Sequence, residues 1–333
     1  MKEAQLYTRL DNQRVHCQLC AHSCQISAGK FGFCGVRQNI SGFLYTHNYA
    51  KLVAVNIDPV EKKPLYHFLP GTLTFSIAGA GCNFRCGFCQ NWEISQFNFS
   101  NQNSGDDFSA DKVIKLARQH NCRSIAYTYT EPTINFEFVL ETAKLAKASG
   151  LRNIFVTNGY MSAEAISLLA PYLDAVNVDL KFFKQSSYQR ICSAKLRPVL
   201  DAIQLLYSAG AWVEVTTLII PGENDTPEEL TAMAKFIAAI NKDIPWHLSR
   251  FHADYKFNDY PSTPERMLKL AYDLGIKQGL HHVYVGNLGT WGQNTLCAEC
   301  QGVLIKRDGF NILESHLVGN RCEFCQTVLP GIF

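Results

Sequence analysis

The sequence predicts an α/β protein: a partial parallel, (β/α)6-type TIM-like barrel with small cysteine-rich metal-binding segments at both ends. Three observations predict it. Apolar or β-branched runs alternate with helix-compatible stretches from about residue 70 to 290, and that alternation implies parallel βαβ units. Six or so such units favour a closed or partly closed barrel over a flat sheet. Most of the thirteen cysteines fall in tight, metal-type spacings before, at the start of and after this stretch. The expected division is 1–69, a cysteine-rich segment; 70–290, the barrel; and 291–333, a second cysteine-rich module.

The elements follow in order. Thr72 to Ala78 reads as a buried strand entering Ala78-Gly79-Ala80-Gly81. Ser109-Ala110-Asp111 caps a helix in which Val113, Ile114, Leu116 and Ala117 recur at helical spacing. Ser124 to Tyr129 is strand-like, and Pro132 to Ser149 is helical until Gly150 stops it. Further strands are expected at Ile154 to Thr157, Ala175 to Leu180, Val213 to Ile220, His247 to Phe251 and Val283 to Val285. Helices Pro227 to Ile240 and Pro264 to Gln278 each open on a proline near the first turn. In such sheets ligands gather where the strands' C-terminal ends meet the following loops. Here those ends carry Thr130-Glu131, Thr157-Asn158, Asp179-Leu180-Lys181, Asn224-Asp225 and Phe251-His252.

The loop after the first of these strands holds Cys82, Cys86 and Cys89 at spacing C-x3-C-x2-C. Three thiolates hold three irons of a 4Fe–4S cube and leave the fourth iron without a protein ligand. An open iron binds a substrate or cofactor, whereas a four-cysteine cluster usually only carries electrons. A three-cysteine zinc site is the bland alternative, but zinc sites usually arrive as two C-x2-C pairs. Such pairs do occur at Cys297/Cys300 and Cys322/Cys325, the pattern of a zinc ribbon, with a second iron–sulfur cluster as the rival. Near the N-terminus Cys17, Cys20, Cys24 and Cys34 have unequal spacing and read as a metal site of undetermined metal, zinc or iron–sulfur. Cys122 and Cys192 stand alone and read as buried apolar residues.

The cysteine loop, with Phe88 immediately before its last cysteine, resembles that of the radical S-adenosylmethionine (SAM) enzymes, so the barrel is expected to be of the radical SAM type. Residues 70 to about 290 look like the pyruvate formate-lyase activating enzyme branch. The whole chain resembles the radical SAM component of the AmmeMemoRadiSam system. That likeness rests on Cys17-Gln18-Leu19-Cys20, Gly32-Phe33-Cys34-Gly35-Val36-Arg37, Tyr129-Thr130-Glu131-Pro132-Thr133, Val283-Tyr284-Val285-Gly286-Asn287 and the C-terminal cysteine pairs. The resemblance implies an oxidoreductase in which Cys82, Cys86 and Cys89 hold a 4Fe–4S cluster that cleaves SAM to methionine and a 5′-deoxyadenosyl radical. It further implies that Phe88 lies against the adenine, Glu131 receives the SAM amino group and Asn158 faces the ribose. Asp179 and Lys181 would lie near the SAM carboxylate, and His252 near the nucleoside. An external one-electron donor of the flavodoxin or ferredoxin type is implied, with a protein or small-molecule substrate left open. Tyr129 and Thr130 replace the two glycines of the family's Gly-Gly-Glu-Pro strand, and Val156 stands where the activating enzymes carry an aspartate.

Charge and composition narrow the classes. Lys+Arg 31 against Asp+Glu 29 gives +2, so no global field recruits nucleic acid or an anionic membrane. Trp92, Phe97, Tyr127 and Tyr129 are therefore better core or pocket walls than base-stacking platforms. No long apolar run appears, Met1 to Gln13 is unlike a signal peptide, and a reducing cytoplasm is expected. The competing class is a non-catalytic iron–sulfur or zinc-ribbon scaffold or electron carrier. The polar set at successive strand ends argues against it, because a scaffold has no need of one.

Overall fold

The computed structural model describes residues 1–96, 105–289 and 291–333; Phe97 lies outside them. Its centre is an eight-stranded sheet whose spatial order follows the sequence. Strand β1 (Ala54–Pro59) runs antiparallel to β2 (Leu73–Ala78) at one edge. All further neighbours are parallel: β3 (Ser124–Tyr127), β4 (Arg152–Thr157), β5 (Ala175–Asp179), β6 (Trp212–Ile219), β7 (Trp246–Arg250) and β8 (Val283–Gly286). The first and last strands do not pair, so the predicted partial barrel is open. Strand β1 joins this sheet from the N-terminal side of residue 70.

Helices cover one face of the sheet because each βαβ crossover must return across it. Helix α1 (Ala110–Gln119) starts at Ser109, whose hydroxyl accepts from Lys112 N at 3.2 Å, and buries Val113, Ile114 and Ala117. The helix Pro227–Ile240 starts at Thr226 in the same way, with proline in its first turn. The sheet alternates sides as period-two packing demands. Ile125, Phe155, Val176 and Val213 meet the helices, whereas Ala126, Ile154 and Ala175 form a separate cluster with Val60, Leu65 and Phe68 on the other face.

Two expected elements differ in detail. Strand β3 stops at Tyr127, not Tyr129, because Tyr129 turns into the left-handed region at φ 64°. The helix expected over Pro132 to Ser149 opens as a 3-10 turn, Pro132–Asn135, before the α-helix Phe136–Ala148 begins. The Glu131 carboxylate accepts from Thr133 N at 3.0 Å and tightens that first turn.

Both cysteine-rich ends pack on the barrel. Residues 2–46 of the N-terminal segment form two three-stranded sheets of very short strands. It shares the main core through Val15, Leu19, Ile26 and Leu44, and a bridge joins Cys20 to Met161. The C-terminal module is a three-stranded sheet (Thr295–Leu296, Val303–Asp308, Asn311–Ser315) followed by a small hairpin. Its Arg307 donates to Tyr66 O at 2.9 Å. That contact belongs to a buried polar plug beneath the sheet, centred on Glu214. The Glu214 carboxylate accepts from Tyr66 N (3.0 Å), His67 N (2.8 Å), Trp212 Nε1 (2.9 Å) and His247 Nε2 (2.6 Å).

Glu214→Ala should therefore destabilise the chain by about 3–5 kcal/mol, the cost of opening a buried pair and leaving its partners unsatisfied, read as a lowered thermal midpoint. Burial opposes the Glu214 charge, but His247 and the other donors outweigh it and hold the carboxyl below its ordinary 4.5. A folded value below the unfolded one means this stability is present above 4.5 and is lost as pH falls through the folded value. The wild-type midpoint should drop over that acid range, and the variant should lack that component.

Candidate functional site at the strand ends

Backbone and side-chain contacts on three sides fix the three-cysteine loop at the C-terminal end of β2. Phe84 N donates to Cys82 Sγ at 3.3 Å, Arg85 Nη1 to Cys82 O at 2.7 Å, and Cys89 Sγ lies 3.2 Å from Ser95 Oγ. Behind the loop, Arg85 N and Gly87 N donate to Cys192 O and Ile191 O at 2.9 and 3.3 Å. Gly87 has no room for a side chain: a Cβ there would come within 2.5 Å of the Phe257 ring. Burial raises the Cys82 and Cys89 thiols, and for Cys82 the Glu131 carboxylate adds to it. Such thiols hold their protons until a metal displaces them.

Glu131 is buried four residues beyond β3, where it caps the 3-10 turn that begins at Pro132. One carboxylate oxygen accepts from Thr133 N, the Thr133 hydroxyl and the Thr157 hydroxyl (2.8 Å), the other from Asn158 N at 2.8 Å. Burial still pushes its carboxyl upward. Asn158 continues the chain of contacts: Nδ2 donates to Asn83 Oδ1 at 2.8 Å and lies 3.9 Å from Cys82 Sγ. Glu131 and Asn158 thus brace β3, β4 and the cysteine loop against one another.

Asp179, the last residue of β5, and Lys181 pair at 2.9 Å. Burial works against the Lys181 charge, but Asp179, helped by Cys86 and Cys192, holds the ammonium well above its ordinary value. The same ammonium lies 5.6 Å from the Phe88 ring centre. Phe88 is buried in edge contacts with Phe182 and Phe257. His252, exposed beyond β7, approaches Gln90 to 2.8 Å through Nε2. The structure therefore brings Phe88, Glu131, Asn158, Asp179, Lys181 and His252 around the loop of Cys82, Cys86 and Cys89.

One contact escaped the sequence reading, and one residue it named takes an unusual conformation. Cys192 is buried, as its isolation suggests, but its Sγ lies 3.5 Å from Cys86 Sγ, and this contact, ahead of burial, raises Cys86. It ends a π-helical stretch, Tyr188–Cys192, a distortion frequent at functional sites. Tyr129, in the left-handed conformation that glycine adopts freely, is held by its hydroxyl donating to Asp58 and by Lys63 at 4.4 Å over its ring. Lys63 and Asp58 form a buried pair at 2.7 Å. Cysteine spacing carries no signal for the Cys192 contact, whereas Tyr129 stands where the resemblance has a glycine, the residue that adopts this backbone freely. Tyr127, by contrast, is core, as expected.

At the far ends the two four-cysteine sets differ. Among the described residues, Cys297, Cys300, Cys322 and Cys325 are the group whose sulfurs all lie within 4.8 Å of one another. The contacts are 3.5 Å for Cys297–Cys325 and 3.7 Å for Cys300–Cys322. Cys17, Cys20, Cys24 and Cys34 instead surround a pocket.

Residues 76–237 match the radical SAM superfamily. The chain belongs to it. Over 98% of its length it is 42% identical to the uncharacterized protein MJ0808 of Methanocaldococcus jannaschii, of which it covers 98%. It is 24% identical over 51% of its length to the pyruvate formate-lyase-activating enzyme of Listeria monocytogenes, covering 71% of that protein, and is related to that branch of the superfamily. Streptococcus suis SuiB bound to S-adenosylmethionine superposes over 68% of the chain and 53% of its own, with TM-score 0.51 and 12% identity. A radical SAM methyltransferase from Sphaerobacter thermophilus does so over 70% and 72%, with TM-score 0.51 and 16% identity. These two likenesses speak for the fold. Among the described residues no helix is long and apolar enough to cross a membrane.

Glu131→Ala should leave the Asn158 and Thr157 donors without an acceptor, at about 1–3 kcal/mol for each buried group left unpaired. The expected outcome is a lowered thermal midpoint and a cysteine loop that exchanges its amide protons faster, from Asn83 to Cys86. Lys181→Ala should not loosen that loop in the same measurement.

Proposed function

We propose that this chain is a SAM-cleaving radical enzyme whose substrate is a protein or small molecule yet to be identified. The carrying observation is the cysteine loop at the C-terminal end of β2 with the Asp179–Lys181 pair packed against its Phe88. The donor set suits the group: three thiols in one fixed loop meet iron's preference for sulfur and leave one iron for a ligand. A 4Fe–4S cluster held there would deliver one electron to the SAM sulfonium, releasing methionine and a 5′-deoxyadenosyl radical for hydrogen abstraction from the substrate. In this reading Cys82, Cys86 and Cys89 anchor the cluster and Phe88 bounds the adenine. Lys181, oriented by Asp179, meets the SAM carboxylate, and the Glu131 oxygen that bonds Asn158 N receives the amino group. Asn158 faces the ribose and His252 the nucleoside. An external one-electron donor of the flavodoxin or ferredoxin type reduces the protein in a reducing cytoplasm.

The same proposal divides the chain into 1–69, 70–290 and 291–333 and assigns a single zinc ion to the C-terminal module. Tetrahedral zinc at about 2.3 Å from each thiolate sets sulfurs about 3.8 Å apart, close to the 3.5 and 3.7 Å observed. The ion would supply folding energy to a module whose apolar cluster is small, with Leu304, Ile305 and Leu329 beside two of the cysteines.

Anaerobic reconstitution with SAM and a strong reductant should yield 5′-deoxyadenosine, and Cys82→Ala, Cys86→Ala or Cys89→Ala should abolish it. A reconstituted, iron-loaded wild type that forms none would refute the reading. Lys181→Ala should weaken SAM binding about ten- to a hundredfold, the value of a charge-assisted hydrogen bond, with cluster iron near normal.

Cys297→Ala or Cys325→Ala should lose the zinc and unfold the chain from about residue 292 onward, while uncoupled SAM cleavage largely survives. Zinc analysis and limited proteolysis read the two effects separately.

A further inference from the structure

Cys17, Cys20, Cys24 and Cys34 converge on one pocket although they come from different turns. Cys17 ends the strand Val15–Cys17 and its N donates to Cys24 O at 2.9 Å. Cys20 follows Leu19 to the bridge with Met161, and Cys34 is carried on the turn closed by Gly35 N donating to Gly32 O at 2.9 Å. The pocket is small, about 10 Å³, and is otherwise walled mainly by apolar side chains such as Leu19, Ile26 and Ile134. One cation lines it, Arg37, which is 1% exposed. Its Nη2 pairs with Glu137 at 2.6 Å, but its Nε–H has no partner.

An apolar core does not account for four thiols and an orphaned guanidinium N–H on one pocket, because native interiors pair their donors. A single zinc ion does not account for the sulfurs. It would hold them about 3.8 Å apart, as in the C-terminal set, and among the described residues no three of these N-terminal thiols gather within 4.8 Å. A cube with one thiolate on each iron needs a wider set around a central space, and four cysteines are its ordinary ligand set. The free Arg37 N–H would donate to a sulfur and offset thiolate charge, two of the levers that tune such clusters. His22 also lines the pocket, but its Nε2 is engaged with Asn83 O at 2.7 Å. We infer that Cys17, Cys20, Cys24 and Cys34 hold a second 4Fe–4S cluster, fully ligated by protein, which passes electrons to the three-cysteine loop.

The electron path follows from shared walls. His22, on the pocket, touches Asn83 beside Cys82, and Phe33, also on the pocket, lies under the Arg85 guanidinium at 4.6 Å. Gly81 is in contact with the same wall, since a Cβ there would meet Cys34 O at 3.3 Å and Val36 Cγ1 at 2.6 Å. The Phe33 ring is partly exposed, which gives a redox partner an approach. A cluster held by Cys17, Cys20, Cys24 and Cys34 would take one electron from the external donor and pass it to one held by Cys82, Cys86 and Cys89. The donor is oxidised by one electron for each SAM cleaved. The cluster assignment is independent of the proposed function, and only the relay role rests on it.

The test counts metal in the full chain after anaerobic reconstitution. Two cubes predict about eight irons and eight sulfides per wild-type chain, and about four of each in Cys82→Ala/Cys86→Ala/Cys89→Ala. In that triple variant the electron paramagnetic resonance signal of the reduced cluster should be unchanged by SAM, because every iron already has a thiolate. Adding Cys20→Ser and Cys24→Ser should remove the remaining iron and leave zinc unchanged. About four irons in the wild type and none in the triple variant would overturn the inference. So would two zincs per chain, one of them lost with Cys20→Ser/Cys24→Ser, or only two irons in the triple variant. Four irons in the wild type that all survive the triple substitution would uphold the second cluster and defeat the proposed function instead.

Discussion

One buried carboxylate sets the geometry on which the strand-end site depends. Glu131 has no solvent to satisfy it, so its four acceptor contacts are filled by the start of the 3-10 turn and by the end of β4. An ionised group at that depth is tolerated only when its hydrogen bonds are complete. The requirement fixes where Asn158 begins its turn, and Asn158 in turn holds Asn83, next to Cys82. Loops alone would leave three thiols loosely placed. This bracing transfers the rigidity of the sheet to them.

That position changes how Glu131 works in the resemblance-based picture. A residue that both braces two strands and meets a substrate amino group must do the second with the capacity the first leaves. One of its oxygens has a single donor, Asn158 N, so the free acceptor direction lies beside Asn158 and the cysteine loop. Substitution there would perturb the scaffold together with the proposed binding, whereas the Lys181 side chain pairs with Asp179 beside the loop's aromatic neighbour. Lys181 is therefore the cleaner probe of cofactor binding. Tyr129 shows a related compromise. Its left-handed backbone is unfavourable for a bulky residue, and the Asp58–Lys63 pair beneath its ring and hydroxyl is what holds it there.

The strand positions and the sheet order were legible because parallel βαβ units declare themselves by period and spacing. Pro227–Ile240 was readable to the residue, since Thr226 and the proline mark its start physically. The cysteine sets were legible as spacings. What escaped was information held in tertiary approach. Nothing local says that Cys192, more than a hundred residues from Cys86, packs its sulfur against it. Nothing local says that β1 joins the barrel from beyond residue 70, since Ala54–Pro59 is mostly half-buried or exposed and shows no clean alternation. The early end of β3 was hidden for the same reason, because it follows from an Asp58 contact made across the sheet edge.

The three cysteine sets show how one residue type yields different chemistry through spacing of the backbone that presents it. Two C-x2-C turns in a hairpin module draw four sulfurs together with little between them, the geometry of a single ion. A strand-end loop presents three thiols beside buried polar neighbours, the donor set proposed to leave one iron for a ligand. The N-terminal turns keep four thiols apart around a space, with a buried guanidinium on its wall. Arg37 is itself fixed by Glu137 at the start of the helix that follows Glu131. The two carboxylates are six residues apart in one 3-10-to-α segment, one bracing the strand-end loop and the other anchoring the cation of the N-terminal pocket. A single short element of the barrel thus sets the electrostatics of both sulfur sites, which makes their relative placement a property of the fold and not of either loop.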